Sequence, residues 1–165
     1  MNSRIAVGVD PGASGAIAIF DGFTHSLKVH DMPVVEIKRG KRNVRHTDAA
    51  MLANLFSGIP ANITHAVIER VGARPRQGVS SMFAFGRALG VIEGVLAGKG
   101  ISVTMVSPQT WQKAMGVNSG KDGARARASQ LYPAQASLFA RKKDHGRADA
   151  TLIATFAYDT LKERP

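Results

Sequence analysis

Residues 5–20, IAVGVDPGASGAIAIF, contain the clearest structural signal in the chain. Two apolar runs, each typical of a buried strand, flank a turn rich in proline and glycine. The pattern predicts strands over 4–10 and 15–21 joined by the turn PGAS. This arrangement puts the carboxylate of Asp10 at the end of a core strand, where it loses hydration unless a positive charge compensates it.

The rest of the chain predicts a mixed sheet covered by helices. Further strands are expected over 25–32, 65–71 and 101–106. Helices are expected over 47–56, 81–98, 108–116, 121–133 and 146–162, with Thr47 capping the first and Ser80 or Ser81 the second. Segment 36–46 has no apolar period and is predicted to be a basic loop. Because helices between later strands require parallel crossovers, we predict an α/β fold with helices on both faces.

Length and charge narrow the class of protein. The 165 residues suit one domain, 1–165, and the net charge of +10 is typical of a nucleic-acid-binding protein. A membrane-surface protein shares such a charge, but no strongly basic amphipathic helix with a large aromatic face is evident. The uncharged apolar stretches are too short to cross a membrane. With no cysteine and no cleavable signal pattern, we expect a cytoplasmic protein without disulfides or thiolate metal sites.

Three of the twelve acids lie in apolar surroundings, and these three predict a metal site. They are Asp10, Glu69 in AVIER and Asp149 in RADATLIA. Strands that end at one sheet edge bring their last residues together, and carboxylate oxygens are the ligands that Mg²⁺ requires. The neighbouring Asp144 and His145 are candidates to join them, although Asp144 also suits a helix cap and His145 a plain surface position. His145 precedes Asp149 by four residues, so the two share a helix face.

The glycine turn has a competing interpretation. DPGASG resembles the phosphate-binding turn of actin-like sugar kinases and chaperone ATPases. Those proteins bind ATP between two lobes, and this chain is too short for a second lobe and has no second turn of this kind. A large basic surplus is also unnecessary for binding ATP.

Five motifs, in order, give a more specific resemblance. They are GVDPGASGAIA, VIERV, QGVSSMFAFGRALGVIEGVLAGKGI, VSPQTWQKAMG and KKDHGRADATLIA. Over residues 5–158 the chain resembles RuvC-type Holliday junction resolvases, especially the short branch found in bacteriophages and related to plastid resolvases. The resemblance implies an RNase H-like five-stranded sheet and a homodimer. It also implies cleavage of four-way DNA junctions by paired symmetric nicks with Mg²⁺ or Mn²⁺, leaving 5′-phosphate and 3′-hydroxyl ends. Because phosphodiester hydrolysis needs both a nucleophilic water and a stabilised leaving oxygen, we expect two ions per site.

The resemblance also assigns residues. The family's catalytic and metal-binding acids correspond to Asp10, Glu69 and Asp149. Its remaining ligand falls in Asp144-His145-Gly146, so Asp144 and His145 both stay candidates. His145 is alternatively a catalytic residue that orients or deprotonates the attacking water.

Candidate DNA contacts lie at one helix start and in the basic runs. They are Arg74, Arg76, Gln77, Ser80, Met82, Phe83, Lys113, Lys121, Arg125, Lys143 and Arg147. Met82 or Phe83 is expected to wedge against an unstacked base pair, with core packing as the alternative. The basic loop over 36–46 suits phosphate binding. Gly86, Gly90 and Gly94 allow close helix approach, and the resemblance places the dimer interface on their helix.

Two alternatives to junction resolution stay open at this point. One is a related nuclease that acts on forks, flaps or branched packaging DNA. The other is a junction-binding protein that has kept the fold and lost its activity.

Overall fold

A computed structural model describes residues 4–72 and 78–162 of the chain. Its main sheet has five strands in the order β3-β2-β1-β6-β7. The strands are β1 Ile5–Asp10, β2 Ala16–Asp21, β3 Ser26–Asp31, β6 Thr64–Glu69 and β7 Ser102–Val106. β1, β2 and β3 pair antiparallel, whereas β6 pairs parallel to both β1 and β7. The predicted mixed five-stranded sheet is confirmed.

The β1–β2 turn has the geometry that its sequence predicts. The Gly15 N–H donates to the Gly12 carbonyl over 3.1 Å, and Gly12 has a φ of 118°, which favours glycine. A Cβ added at Gly15 would lie 2.0 Å from the Asp10 carbonyl oxygen. The close return of the chain at Gly15 therefore requires a residue without a side chain.

Helices cover both faces of the sheet. They are α1 Ala49–Leu55, α2 Val79–Gly98, α3 Pro108–Ala114, α4 Gly123–Leu131 and α5 His145–Lys162. Short 3₁₀ helices span Ala61–Ile63, Pro133–Phe139 and Lys142–Asp144. Val7 and Val9 of β1 pack in one core with Leu52 of α1 and Ile92 of α2. Ala6 packs in a second core, on the opposite face, with residues of α3, α4 and α5.

Strand alternation decides which face receives the acid at the end of β1. Side chains alternate along a strand, so Asp10 shares a face with Ala6 and Gly8. A Cβ at Gly8 would lie 2.2 Å from both the Ala150 carbonyl oxygen and the Ala154 nitrogen of α5. Helix α5 therefore crosses β1 in backbone contact, and Asp10 emerges on the α5 side of the sheet.

The segment predicted as a basic loop is instead a hairpin. β4 Val34–Arg39 and β5 Arg42–Thr47 form a separate two-stranded antiparallel sheet that turns at Gly40, where φ is 59°. Most of its side chains are exposed, including Lys38 and Lys41. The hairpin lacks the apolar alternation of a half-buried strand because most of its side chains are exposed and burial is concentrated at its base, at Val34, His46 and Thr47.

Two helix starts also differ from the sequence prediction. Asp48, and not Thr47, caps α1, because its carboxylate accepts bonds from the Ala50 and Met51 N–H groups. Helix α2 begins earlier than predicted, with Gly78 at the cap position and no side-chain cap from Ser80 or Ser81. In both cases the observed cap lies one to three residues from the predicted one, because several residues that can occupy a cap position lie close together in the sequence.

Helix α2 is apolar and poorly covered. Within the described residues it alone is long and apolar enough, by length and composition, to cross a membrane. Its most apolar 18-residue stretch has a mean hydropathy of 1.4, and 17% of that stretch is buried. It carries two charged residues, Arg87 and Glu93. Ala88, Ile92 and Leu96 face the core, which leaves the opposite side of the helix exposed.

Candidate active site at the ends of the central strands

Asp10 and Glu69 end neighbouring parallel strands. Val9 of β1 is in register with Ile68 of β6, so the next residue on each strand is an acid at the same sheet edge. Glu69 alternates with Val67, which packs in the same core as Ala6 and α5. Both carboxylates therefore lie on the face that α5 covers.

Asp149 lies in the second turn of α5 and completes a group of three acids. Burial and the charge of Glu69 raise the pKa of Asp149 to about 7. Burial raises the pKa of Asp10 well above its usual range, and repulsion from Asp149 and Glu69 adds to the shift. Burial is the larger cause of both shifts, and the added repulsion between carboxylates is consistent with the three acids lying near one another on the face that α5 covers.

Two residues that the sequence analysis did not single out support this group. The Trp111 indole N–H donates to Glu69 Oε1 over 2.9 Å. Gly146 brings the first turn of α5 against the Asp10 carboxylate. Two features of the sequence could have indicated them: the only tryptophan of the chain lies shortly after a predicted strand, and a glycine lies three residues before Asp149.

Asp144 is buried and already held by cationic partners. Its carboxylate accepts bonds from the Arg141 side chain and the Arg141 backbone N–H, at 2.9–3.2 Å, and Arg147 lies 3.8 Å away. These bonds, chiefly those from the Arg141 guanidinium, lower the pKa of Asp144. Asp144 therefore belongs to the capping box of the 3₁₀ helix Lys142–Asp144, which leads into α5, and it forms ion pairs with Arg141 and Arg147.

His145 has the opposite environment. It is the first residue of α5, is exposed, and precedes Asp149 by one helical turn. Of the two candidates for the fourth group, His145 is the one whose side chain is accessible.

The three carboxylates of this group are candidate ligands for a divalent cation. Across residues 4–72 and 78–162, no three His, Cys, Asp or Glu side chains come close enough together to enclose a single ion. The chemistry of the set nevertheless fits, because the carboxylates of Asp10, Glu69 and Asp149 are hard oxygen donors of the kind that Mg²⁺ binds. Mg²⁺ and Mn²⁺ are the ions that such ligands suit.

The candidate DNA contacts fall into three groups. Arg74, Arg76 and Gln77 lie outside the described residues. Most of the others are at the surface: Ser80, Phe83, Lys113, Lys121 and Lys143 are exposed, and Met82 is partly buried. Phe83 is 70% exposed, so its ring is not packed in the core.

Arg125 and Arg147 form the third group, because both guanidinium groups are engaged within the protein. Arg125 donates to the carbonyls of Phe139 and Ala140 and pairs with Asp122. Arg147 forms a two-point ion pair with Asp31 of β3, with both N–O distances 2.7 Å. These contacts tie α4 and α5 to their neighbours and leave the two arginines less suited to DNA than the exposed lysines.

A groove between the β4–β5 hairpin and α2 adds a surface that the sequence analysis missed. Its cavity of about 270 Å³ is bounded by the β1–β2 turn and by Arg45, Phe85 and Arg87. Gly12, two residues after Asp10, forms part of its wall. The groove therefore lies between the basic hairpin and the turn that follows Asp10.

Comparison with solved structures identifies the architecture. Thermus thermophilus RuvC in complex with a Holliday junction substrate matches with a TM-score of 0.61 at 14% identity, covering 96% of both chains. The chain has the RuvC fold. A second Thermus thermophilus RuvC structure matches with a TM-score of 0.57 at 16% identity, covering 96% of this chain and 97% of RuvC. The predicted RNase H-like fold is thereby confirmed.

Sequence comparison also finds a similarity to a Holliday junction resolvase. A chloroplastic Holliday junction resolvase, MOC1 of Chlamydomonas reinhardtii, is 30% identical over 149 residues. The match covers 78% of this chain. The aligned region spans 17% of the length of that protein. No family model matches the chain. The resemblance to RuvC-type resolvases inferred from the motifs is confirmed.

Proposed function

We propose that the chain is an endonuclease that resolves four-way DNA junctions by paired symmetric nicks. The observation that carries the proposal is the convergence of Asp10, Glu69 and Asp149 on one edge of a RuvC-like sheet. The similarity to proteins named Holliday junction resolvases and the net charge of +10 support DNA as the substrate.

In the proposed reaction these three carboxylates hold Mg²⁺ or Mn²⁺, two ions per site. When bound, the ions supply a nucleophilic water and stabilise the leaving 3′-oxygen in phosphodiester hydrolysis, which yields 5′-phosphate and 3′-hydroxyl ends. The protein contributes the placement of its acids: strand register fixes Asp10 beside Glu69, and α5 brings Asp149 to them.

His145 and the exposed cations have complementary roles in this proposal. His145, one turn before Asp149, is placed to orient or deprotonate the attacking water. Lys113, Lys121 and Lys143 are exposed and suit contacts to DNA phosphates. Phe83 is exposed on the first turns of α2 and suits the wedge against an unstacked base pair.

The proposed enzyme is a homodimer that uses α2 as its interface. Gly86, Gly90 and Gly94 are exposed, and within the described residues nothing lies within 4 Å of a Cβ added at any of them. They are offset by two positions, or about 200°, from buried Ala88 and Ile92, so they form a stripe on the uncovered face. A two-fold dimer through this stripe would present two sites to a two-fold symmetric junction.

The test is cleavage of strand-labelled DNA with Mg²⁺. A synthetic four-way junction, a replication fork, a flap and a linear duplex of matched sequence are compared at one salt concentration. The proposal predicts nicks at symmetric positions on two opposite strands of the junction and little cutting of the other substrates. Preferred cutting of forks or flaps would indicate the related nuclease, and tight junction binding without cutting would indicate an inactive binder; either result would overturn the proposal.

A further inference from the structure

Trp111 connects the candidate site to the core behind it. Its side chain is fully buried among Val67, Val106 and Leu152. Its single polar group, the Nε1–H, donates to Glu69 Oε1 over 2.9 Å. An indole N–H can only donate a hydrogen bond, and it does so in the plane of the ring. Because the ring is held by the core, the bond holds Oε1 of Glu69 in a defined place relative to the ring.

The local fold determines this contact. Glu69 is in register with Val106, the last residue of β7. Ser107 then caps α3 by accepting a bond from the Thr110 N–H over 3.2 Å, with Pro108 as the first residue of the helix. Trp111 follows within the first turn, so the helix start places the indole directly beside the end of β6.

Glu69 is the acid in the group that most needs such a contact. Its side chain has one more rotatable bond than an aspartate, and its conformational freedom opposes a fixed position with a cost of about 1.5–2 kcal/mol. A ring immobilised by core packing removes that freedom from one carboxylate oxygen. Groups that orient metal ligands in this way affect metal affinity or activity by about 10–100-fold in other proteins.

The charge of the donor distinguishes Glu69 from Asp144. Asp144 is held by two guanidinium groups, which neutralise it. The indole is neutral, so its hydrogen bond orients the Glu69 carboxylate without adding a positive charge beside it. A lysine or arginine in the place of Trp111 would compete with that cation.

We propose that Trp111 is a positioning residue that presents the Glu69 carboxylate to a divalent cation. Its effect on cleavage rests on the function proposed above, whereas its effect on Glu69 does not. Because the chain contains one tryptophan, its indole gives one side-chain signal in a proton–nitrogen correlation spectrum. That signal reports the hydrogen bond without any assay of activity.

The first measurement uses the metal-free protein. We expect the indole N–H signal of the wild type to exchange slowly with solvent and to shift in Glu69→Gln, which weakens the acceptor without removing it. Addition of Mn²⁺ should broaden the wild-type signal. An indole signal that is unchanged by Glu69→Gln would overturn the positioning contact whether or not the protein cleaves DNA.

The second measurement compares Trp111→Phe with Phe139→Leu. Phe139 is also fully buried in the same core, so its variant matches a loss of core volume without touching Glu69. Trp111→Phe should bind Mn²⁺ about 10-fold more weakly by calorimetry and lower kcat with little change in KM, while Phe139→Leu keeps wild-type values at temperatures where it is folded. In the Glu69→Gln background, Trp111→Phe should have no further effect on Mn²⁺ binding.

A matched isostere covers the case in which Trp111→Phe fails to fold. Uniform replacement of tryptophan by benzothienylalanine changes this one site and exchanges the N–H for sulfur in a ring of nearly the same shape. The same weakening of Mn²⁺ binding is expected. Equal Mn²⁺ affinity for the wild type and the N–H-deleted protein would refute the positioning role and leave the proposed function intact. A wild type that binds no Mn²⁺ and cuts no junction would refute the proposed function and the presentation of Glu69 to a cation, leaving only the hydrogen bond.

Discussion

Gly146 lies against the carboxylate of Asp10. A Cβ added at Gly146 would lie 3.0 Å from Asp10 Oδ2 and 2.8 Å from the Ser14 carbonyl oxygen. The first turn of α5 therefore approaches the end of β1 as closely as a glycine permits. This approach puts the N-terminal turn of α5, which is the positive end of the helix dipole, beside the Asp10 carboxylate.

Gly146→Ala tests the importance of that approach. The added methyl group would displace α5 from Asp10, because the Ser14 backbone has little room to move. We expect a loss of about 1–3 kcal/mol in the free energy of unfolding, partly offset by the better helix propensity of alanine, and at least about 10-fold slower junction cleavage. Gly98→Ala, at an open position in the last turn of α2, is the control: it gains helix propensity without a clash, so it should be at least as stable as the wild type and cleave at the same rate. Wild-type cleavage by Gly146→Ala would show that the close approach is unimportant.

The pH dependence of stability tests the raised pKa of Asp149. A pKa of about 7 in the folded protein means that the folded state holds this proton more tightly than the unfolded chain, whose aspartates titrate near pH 4. The stabilisation is fully present below about pH 4 and is lost as pH rises through about 7. Asp149→Asn should therefore be more stable than the wild type at pH 8 in the absence of metal, by up to a few kcal/mol.

The measurement is thermal unfolding of both proteins in chelator between pH 5 and 8. Asp31 and Asp144 have lowered pKa values, so they affect stability mainly below pH 4, and lowered pKa values at His30 and His46 affect both proteins alike. The difference between the two curves reports Asp149 together with its repulsion of Asp10, because Asp149 adds to the raised pKa of Asp10. Parallel curves would contradict the raised pKa. Added Mg²⁺ should stabilise the wild type at pH 8 and have little effect on the variant.

Asp144→Asn and His145→Ala separate a structural residue from a reactive one. Asp144 is 2% exposed and bonded to Arg141, so Asp144→Asn should cost about 1–3 kcal/mol of stability while the folded protein still cleaves. His145→Ala should leave stability nearly unchanged and reduce cleavage about 100-fold. His30→Ala, at another exposed histidine on β3, is the matched control and should leave both stability and cleavage nearly unchanged. Unfolding curves and single-turnover rates with Mn²⁺ would show the pattern, and the reverse pattern would assign the fourth group to Asp144.

Gly90→Arg tests the proposed dimer face. The substitution puts a long charged side chain in the middle of the glycine stripe on α2, where the described residues leave open space. By light scattering, the wild type should have twice the chain mass of 17.5 kDa and the variant the mass of one chain. Ser57→Arg, on an exposed position after α1, should stay dimeric. A monomeric wild type, or a dimeric Gly90→Arg, would exclude this interface.

The central part of the fold and the three acids could be predicted from the sequence because their signals are local. Two apolar runs around a glycine turn define β1 and β2, and strand alternation fixes the side on which Asp10 emerges. The β4–β5 hairpin escaped prediction because only its base packs against the domain, so the charged and exposed side chains over most of its length resemble a loop. The contrasting surroundings of Asp144 and His145 depend on Arg141 and Arg147 folding back onto one carboxylate, which spacing along a helix does not encode.

Side-by-side assays of Asp10→Asn, Glu69→Gln and Asp149→Asn on a labelled four-way junction test the central claim most directly. Cleavage is measured with Mg²⁺, and binding is measured by fluorescence anisotropy in chelator. We expect each substitution to reduce cleavage by at least about 100-fold, because each removes one charge from the proposed ion site. Junction affinity should stay within about threefold of the wild type, since DNA phosphates are held by the basic residues. Wild-type cleavage by any one of the three variants would contradict the proposed active site.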